Sequence, residues 1–539
     1  MSHVPKKGKI TRRQVLKTGA AGIALTSAIG IAPKYLFSPS RAQGLGLAAG
    51  MTGGPTGFEG AERYQYNETH SEGRAIEGLK RLKAAGKAPD KLNILMTDGG
   101  IGHFTKPYPA TSTLGKDIFE KETGIEINFT GVSPENQLTR VVQDVTTKSG
   151  AFDIYTHNQN ALGDLGALGA VVPLDDLIDK YGADFNDRKR GTPTPEIYEL
   201  LYKYGGETLS VSLDGDFQTW VYRKDLFDDP QNKKEFEDQY GMELDKPKTW
   251  EQTDAIADFF TKKGLFGNGN MMSPFWGIST WYNRYVSKAL PNFFLFDEEG
   301  KPQIDTELGI QATQEHINSF KWAPPDALSW SWAEYYGQMA NLKSVMIATF
   351  TNLPKFNDRL DADGKPATPL TGKLGSFLPP GHQFGSQLVR RSTHYLGNNG
   401  SVSTQSKYPE AAYLFLQWAG STRIFTWLTA NPGGFFDPFQ LANFEDPLVI
   451  KTYHDYHVPV IRETIKRSVP TMNYPGAASL HNALDENVQA AMVGGMTAKE
   501  AMERTAKDWR RSIKKRGETK MIDAINADRS GWPTLIDAA

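Results

Sequence analysis

The chain has 539 residues, no cysteine, and 60 basic against 62 acidic side chains, and 11% of its residues are aromatic. Without cysteine it can form no disulfide, no thiolate nucleophile, and no zinc or iron–sulfur site held by cysteine. The length allows two ordinary domains with full hydrophobic cores.

The first 42 residues resemble a twin-arginine export leader. Arg12 and Arg13 precede a modest apolar run, Gly19 to Ala32, and small residues at Ser40 and Ala42 suit cleavage after Ala42. This leader carries eight basic residues and no acid, so the remaining chain has 52 basic and 62 acidic residues, a formal net charge of −10. Such a balance disfavours nucleic acid and anionic lipid as partners, and no later apolar run is long enough to cross a membrane.

The next part of the chain, residues 43–90, is predicted to be a tether followed by a helical extension. A glycine-rich stretch without periodicity fills 44–60. Apolar residues spaced by three then predict a helix near Ser71 to Ala85.

Beyond residue 90 the pattern alternates between short apolar strands and amphipathic helices. The predicted elements, in order, are strand Leu92–Met96, helix Leu114–Thr123, strand Ile125–Phe129, helix Glu135–Lys148 and strand Phe152–Thr156. This alternation is typical of a doubly wound α/β lobe. Ligands bind such sheets beyond the carboxyl ends of the strands, which are the polar loops Thr97 to His103 and Thr156 to Asn160. For each loop taken alone, plain turn chemistry is the simpler explanation.

A series of motifs follows in a fixed order. Its segments are Phe152–Tyr155, Leu168–Ile178, Gly206–Ser212, Trp220–Phe227, Pro247–Gln252, Leu342–Ile347 and Ser403–Ala412. Together they resemble the family 1 extracellular solute-binding proteins of ABC importers, the relatives of maltose-binding protein. Arg223 stands where that family usually has asparagine, and Leu342–Ile347 lacks the family's glycine. Thr249 and Gln252 also predict a helix start with a capping box.

This resemblance implies an α/β, two-lobed periplasmic-binding-protein-like fold of type II, whose hinge-connected lobes close on a solute. The expected crossings between the lobes lie near Val211 to Gln218 and Lys373 to Pro380. The implied division assigns residues 91–213 and 381–430 to lobe 1, and residues 214–372 and 431–539, with the C-terminal helices, to lobe 2.

Two aromatic clusters in the predicted second lobe suit a sugar or polyol, whose C–H surface packs on flat rings. One contains Trp276 and Trp281, and the other contains Trp330 and Trp332. A core role explains either cluster as well, because two tryptophans separated by one residue would share one face of a strand.

Polar residues near the interlobe loops are the predicted partners for solute hydroxyl groups. They are Asp98, His157, Asn158 and Gln159 in lobe 1, Asp214 and Asp216 at the hinge, Thr351 and Asn352 after a second-lobe strand, and Asn398 and Asn399 by order of the family motif. The segment from Asn431 to Asp437 is a further loop candidate, although a Pro-Gly turn explains it more simply.

No catalytic constellation is recognisable. Asp214 and Asp216 could be the paired carboxylates of a glycoside hydrolase, but adjacent acids are more often hinge or capping residues. His454 and His457 have metal-ligand spacing without a third ligand in sequence, which favours a surface helix pair. The chain lacks a nucleophile elbow, a phosphate loop and a dinucleotide fingerprint. We therefore expect no enzyme activity, no cofactor and no metal.

The sequence predicts a periplasmic, monomeric substrate-binding component of an ABC transporter. It would capture a carbohydrate or polyol between its lobes and deliver it to the transmembrane subunits of the permease. Because only differential contacts shift a conformational equilibrium, the solute must touch both lobes to favour closure. Two alternatives stay open: the same fold binding another small polar solute, such as a polyamine or amino-acid derivative, or an exported glycan-processing hydrolase.

Overall fold

Two β-sheets, each covered by helices, organise the chain. The computed structural model describes residues 46–108, 114–187, 189, 201–289, 294–361, 363–395, 397–530 and 537–538, so the predicted leader (1–42) lies outside the described residues. Among the described helices, none combines the length and apolar character needed to cross a bilayer.

The first sheet is mixed and has five strands. In spatial order they are β2 (Glu126–Val132), β1 (Lys91–Thr97), β3 (Ile154–His157), β14 (Asn399–Val402) and β6 (Val211–Ser212). Strand β1 runs parallel to β2, from Lys91 opposite Glu126 to Thr97 opposite Val132, and parallel to β3. Strand β14 is antiparallel to β3 and to β6. The three predicted strands and their parallel order are confirmed.

In the described part of the chain, ten helices pack around this first sheet. They are α1 (Ser71–Ala84), α2 (Asp98–Thr105), α3 (Gly115–Thr123), α4 (Gln137–Thr147), α5 (Leu162–Ala167), α6 (Asp175–Tyr181), α14 (Pro409–Gly420), α15 (Thr422–Thr429), α16 (Pro447–Tyr453) and α17 (Val458–Ile465). The expected loop Thr97 to His103 is instead the start of α2, because the Thr97 hydroxyl accepts a hydrogen bond from Gly100 N–H and caps that helix.

The second sheet has four strands. In spatial order they are β10 (Leu374–Phe377), β7 (Thr219–Arg223), β9 (Ser344–Thr349) and β8 (Phe266–Asn268). Its helices are α7 (Lys224–Asp228), α8 (Pro230–Tyr240), α9 (Trp250–Lys262), α10 (Gly277–Lys288), α11 (Glu307–Ser319), α12 (Trp332–Ala340), α13 (Leu353–Asn357), α18 (Ala477–Met492), α19 (Ala498–Arg516) and α20 (Glu518–Ser530). The predicted capping box at Thr249 and Gln252 is present at the start of α9.

The described residues also contain seven short strands outside these two sheets. One small sheet contains β11 (Gly381–Phe384), β12 (Gln387–Arg390) and β16 (Asp537–Ala538); the pairs are β13 (Ser392–His394) with β15 (Ser468–Pro470), and β4 (Lys203–Tyr204) with β5 (Glu207–Thr208).

Three connections join the two sides of the molecule. The first crossing, residues 213–218, leads from β6 to β7, as predicted from Val211 to Gln218. The chain returns from β13 to β14, and a third connection leads from α17 through β15 to α18. The expected crossing at Lys373 to Pro380 is wrong, because its first half is β10, which pairs with β7 inside the second sheet.

The structure divides the C-terminal half differently from the sequence. Residues 436–465 pack in the first core through side chains such as Phe439 and Ile461, whereas the sequence assigned them to lobe 2. The hairpin β11–β12 contacts α10, a helix of the second core, whereas the sequence assigned it to lobe 1. Periodicity identifies these elements but carries no information on which of two similar cores they cover.

Candidate functional site

Near the carboxyl end of β1, Phe435 connects α2 to an aromatic surface of the second core. That surface, which we call the aromatic wall, consists of Phe275, Trp330, Trp332 and Phe356. All four side chains are half-buried and pack against the second core. Half-exposed rings of this kind at a junction between two cores are available to pack on a ligand.

Local structure sets the orientation of the wall. Ser331 forms a capping box with Glu334, so that Trp332 begins α12 and Trp330 precedes it, and the two rings do not share a strand face. Phe275 has a left-handed backbone, with φ of 69°, which is uncommon for a residue with a side chain. Its N–H donates to Asp485 Oδ2 at 2.7 Å and its carbonyl oxygen accepts from the Tyr395 hydroxyl at 2.6 Å, so both main-chain polar groups are held.

Phe435 lies between the aromatic wall and the first sheet. Its ring contacts Trp332 at a centroid distance of 5.3 Å and Phe356 at 5.0 Å. On the other side it approaches Gly99 in α2, where an added Cβ would lie 3.3 Å from the Phe435 ring, and the Lys106 ammonium lies 4.9 Å from the ring centroid. The side chain therefore bridges the two halves of the site.

Several predicted polar residues lie at this junction. Asp98 is exposed at the first position of α2, and Asn158 is half-buried after β3. Asn398 accepts from the Thr97 hydroxyl at 3.2 Å and donates to Asp214 Oδ2 at 2.9 Å. Asn352 donates to the Phe435 carbonyl oxygen at 3.2 Å.

Three other predicted contacts are internal. Both ring nitrogens of His157 form hydrogen bonds of 2.9 Å: Nδ1 donates to the Asn158 carbonyl oxygen, and Nε2 bonds the Ser401 hydroxyl group. Burial lowers the pKa of His157 to about 4. Gln159 is buried and accepts from the Thr471 hydroxyl, and Asn399 is buried and donates to the Leu201 carbonyl. These side chains stabilise the first sheet and its connection to β15 and do not face the aromatic wall.

The tryptophans of the first aromatic cluster belong to the core. Trp281 is fully buried, stacks on Tyr285 at 4.9 Å and donates from Nε1 to the Thr313 hydroxyl at 2.9 Å. Its assignment as a solute contact is wrong, since α10 turns that side chain inward. Trp276 is 6% exposed and supports Phe275 edge-to-face at 5.2 Å, so it lies behind the aromatic wall.

Three buried carboxylates meet where the crossing segments converge. We call Asp214, Asp216 and Asp437 the hinge acid cluster; each offers an oxygen, and these oxygens lie within 4.8 Å of one another. Asp214 Oδ1 accepts from Asp437 N–H at 2.8 Å, and Asp216 Oδ2 accepts from Gly397 N–H at 3.0 Å. The cluster thus ties the first crossing to residues preceding β14 and to the 431–437 loop.

Burial dominates the acid–base behaviour of this cluster. It raises the pKa of Asp214 to about 8, with a further contribution from the Asp437 charge, and the pKa of Asp437 to about 6. The pKa of Asp216 is also raised well above its ordinary value. Lys355 lies nearby, and burial lowers its pKa to about 8.

The sequence did not identify every residue of the site. Phe275 lay inside a predicted aromatic cluster without being selected, and Phe435 and Asp437 lay in the 431–437 segment that a Pro-Gly turn seemed to explain. Phe356 and Lys355 are single residues of α13 with no pattern around them. Only the chain path that brings the 431–437 loop against α13 makes these residues neighbours.

Comparisons with known proteins agree with this architecture. Residues 102–423 match the sequence profile of a family described as bacterial extracellular solute-binding proteins. A relative from Sinorhizobium fredii, named as the probable amino-acid ABC transporter periplasmic-binding protein y4oP, is 21% identical over 360 residues, which cover 64% of this chain and 72% of the relative.

Solved structures share the fold at low sequence identity. A solute-binding protein from Agrobacterium radiobacter K84 in complex with ribitol has a TM-score of 0.64 and 18% identity, over 78% of this chain and 98% of that one. One from Agrobacterium vitis S4 with bound D-mannitol has a TM-score of 0.62 and 20% identity, over 79% and 99%. Maltose-bound T. maritima MalE3 has a TM-score of 0.63 and 16% identity, over 78% and 99%.

Proposed function

Because this chain belongs to the bacterial extracellular solute-binding protein family, we propose that it captures a carbohydrate or polyol between its two cores and delivers it to the permease of an ABC transporter. The observation that carries this proposal is the aromatic wall of half-exposed rings, which Phe435 connects to α2 at the end of the first sheet. Flat rings pack on the C–H faces of a sugar, and fixed amides and carboxylates bind its hydroxyl groups.

The proposed contacts come from both sides of the junction. Asp98, Asn158 and Asn398 would bind hydroxyl groups from the first side, while Trp330 and Trp332 would pack on the solute from the second. A solute held by both sides favours the closed arrangement by its differential contacts, and the permease would recognise that arrangement.

The solved structures with ribitol, D-mannitol and maltose favour this class of solute by analogy of fold. The amino-acid transporter name of the Sinorhizobium fredii relative supports a second candidate, an amino acid or amino-acid derivative bound in the same place.

The remaining parts of the proposal concern place and mode of action. The predicted twin-arginine leader would export the chain to the periplasm, where it would act as a monomer. We further propose that it binds its solute without turnover and without a cofactor.

Ligand screening by thermal unfolding tests the proposal. We expect one or a few compounds among ribitol, D-mannitol, tagatose and maltose to raise the melting temperature saturably, because a ligand that binds only the folded state stabilises it. Small-angle scattering should then detect a smaller radius of gyration with the bound compound. Stabilisation by amino acids alone would favour the second candidate, and release of product from a glycoside would overturn binding without turnover.

A further inference from the structure

A concave groove lies between α18 and α19 on the second core. It has a volume of about 710 Å³, and we call it the basic groove. Four basic side chains line it, which are Arg504, Arg511, Lys515 and Arg516 of α19, together with the acid Asp508. Four positive charges therefore meet one negative charge in this groove.

The packing of the two helices fixes the floor of the basic groove. The Trp509 side chain is fully buried, and its Nε1 donates to the Leu480 carbonyl oxygen at 2.7 Å. Ala483 lines the groove about one turn further along α18, where its short side chain occupies little space. The four basic side chains around this floor are exposed, so a ligand from solution can reach them.

The four basic groups have no carboxylate partner among the described residues. The ion pairs of α19 join Lys499 to Glu503 and Arg510 to Asp305, and none involves a basic residue of the groove. Asp508 is half-buried in the groove but forms no ion pair with its neighbours there. The described part of the protein therefore leaves the positive charge of the groove uncompensated.

The helix dipole explains only part of this charge. Basic residues in the last turn interact favourably with the dipole, which accounts for Lys515 and Arg516. Arg504 and Arg511 lie more than one turn before the end of α19, beyond the reach of that effect. Arg511 and Lys515 are four residues apart, and like charges at that spacing repel each other. The chain as a whole has 60 basic and 62 acidic residues, so its composition does not account for the concentration of positive charge.

The first turn of α18 adds to the positive potential. Ser479 lines the groove in this turn, and the start of a helix carries the positive end of its dipole. Asp164 of α5 already accepts from the Gly476 and Ala478 N–H groups, at 2.6 and 3.3 Å, so the helix start alone is not the site. The Arg516 side chain lies against Gly476, where a Cβ atom would not fit. Its guanidinium group is thus held between the start of α18 and the groove.

We propose that the basic groove binds a small soluble phosphate ester. Guanidinium groups bind phosphate oxygens through paired N–H donors, and an ammonium group adds a point charge. A phosphate monoester carries about −1.5 to −2 charges at pH 7, which the excess positive charge of the groove can neutralise. The groove is concave and the chain as a whole is slightly acidic, so a soluble anion suits it better than the flat anionic surface of a membrane.

This ligand would be distinct from the captured sugar or polyol. Ala483 lines the basic groove, whereas Asp485 accepts from the Phe275 N–H at the aromatic wall. Two residues span about 200° around an α-helix, so α18 separates the two sites. Anion binding at the groove therefore goes beyond the proposed capture of a solute and can be tested without one.

The direct test is titration of the full-length purified chain with sodium phosphate and sodium pyrophosphate in a buffer that contains neither anion. We expect both to raise the melting temperature saturably and to give one-site isotherms by calorimetry. Pyrophosphate should bind roughly tenfold more tightly, because it carries more charge for the guanidinium groups. NaCl of equal ionic strength should have no saturable effect. No saturable response to either anion, or an equal response to NaCl, would overturn the proposal.

Three variants assign the response to the groove. Arg511→Gln removes one guanidinium group and should weaken pyrophosphate binding roughly tenfold, whereas Asp508→Asn removes the opposing charge and should strengthen it severalfold. The control Lys507→Gln removes an exposed positive charge from the same helix outside the groove and should bind pyrophosphate like the parent chain. Circular dichroism confirms that each variant is folded, and Asp508→Asn decides the matter if Arg511→Gln does not fold.

Unchanged affinity in both Arg511→Gln and Asp508→Asn would place the anion elsewhere and overturn the proposal. Sedimentation of the chain with phosphatidylglycerol vesicles, without a response to phosphate or pyrophosphate, would also overturn it, because the groove would then bind a membrane surface. Since these titrations contain no solute, failure to bind any sugar or polyol would leave the anion result intact, and the converse also holds.

Discussion

The aromatic wall and the hinge acid cluster lie at the same junction, yet they meet solvent in opposite ways. Phe275, Trp330, Trp332 and Phe356 are half-exposed on a rigid second core, whereas the three aspartates are enclosed by the segments they connect. A half-exposed ring retains surface that can pack on a ligand. A carboxylate that accepts hydrogen bonds from the main chain of another segment instead fixes the relative position of those segments.

Residue type alone does not determine the role of a side chain at the junction. Both groups consist of residues that bind sugars in principle, but exposure separates the ligand-facing set from the structural set. The same distinction divides the tryptophans: Trp332 and Trp281 are chemically identical and differ in what surrounds them.

The largest expected effect is on the buried tryptophan. Trp281→Ala should lower the free energy of unfolding by about 3 to 5 kcal/mol, because it opens a cavity in the second core and leaves the Thr313 hydroxyl without its indole donor. Chemical denaturation followed by circular dichroism measures this loss. An unchanged denaturation midpoint would mean that α10 does not bury this side chain.

The next effect separates binding from stability at Trp332. Trp332→Ala should weaken solute binding about tenfold, or about 1.4 kcal/mol, because the ring loses its packing on the solute. The free energy of unfolding of the unliganded protein should change by about 1 kcal/mol or less, since the side chain is half-exposed. Calorimetric titration and thermal melts of the same sample measure both quantities. A large loss of stability with unchanged affinity would show that Trp332 is a core residue and does not contact the solute.

The sequence predicted the first sheet well because its signals are local. Strands β1 to β3 are short apolar runs between turn residues, and the helices between them have clear amphipathic spacing and end at residues such as Gly124. The capping box at Thr249 is equally local. A strand, a helix end or a capping box that depends on a few neighbouring residues can be predicted from the sequence alone.

The site was predicted only in part because its members are brought together by topology. Asp437 lies more than 200 residues from Asp214, and no spacing rule links them. His157 and Asn399 occur in polar stretches after or within strands, but their side chains turn inward to bond Ser401 and the Leu201 carbonyl. Polarity in sequence indicates a need for partners and does not specify whether those partners are protein or ligand.

A third prediction concerns how Phe275 is held in the aromatic wall. Asp485→Ala removes the acceptor of the Phe275 N–H and should cost about 1 to 3 kcal/mol of stability if that group stays buried and unpaired. Release of this N–H should also reduce solute affinity about threefold, because the left-handed backbone of Phe275 loses one of its two restraints. Asp485→Asn retains an acceptor oxygen and should preserve affinity, as measured by the same titration. Equal affinity in both variants would show that Phe275 needs no such support.

The smallest stability effect is expected at the exposed acid. Asp98 occupies the first position of α2, where a negative charge interacts favourably with the helix dipole, so Asp98→Asn should lower the free energy of unfolding by about 0.3 to 1 kcal/mol. If Asp98 binds a solute hydroxyl group, the same change should also lower affinity severalfold, a free energy similar to the loss of stability. Titration calorimetry and chemical denaturation at low salt measure the two effects. Trp281→Ala should thus affect folding alone, whereas Asp98→Asn should have a small effect on folding and an effect on binding as well. Unchanged affinity in Asp98→Asn would remove this residue from the solute contacts and leave the first side of the junction to Asn158 and Asn398.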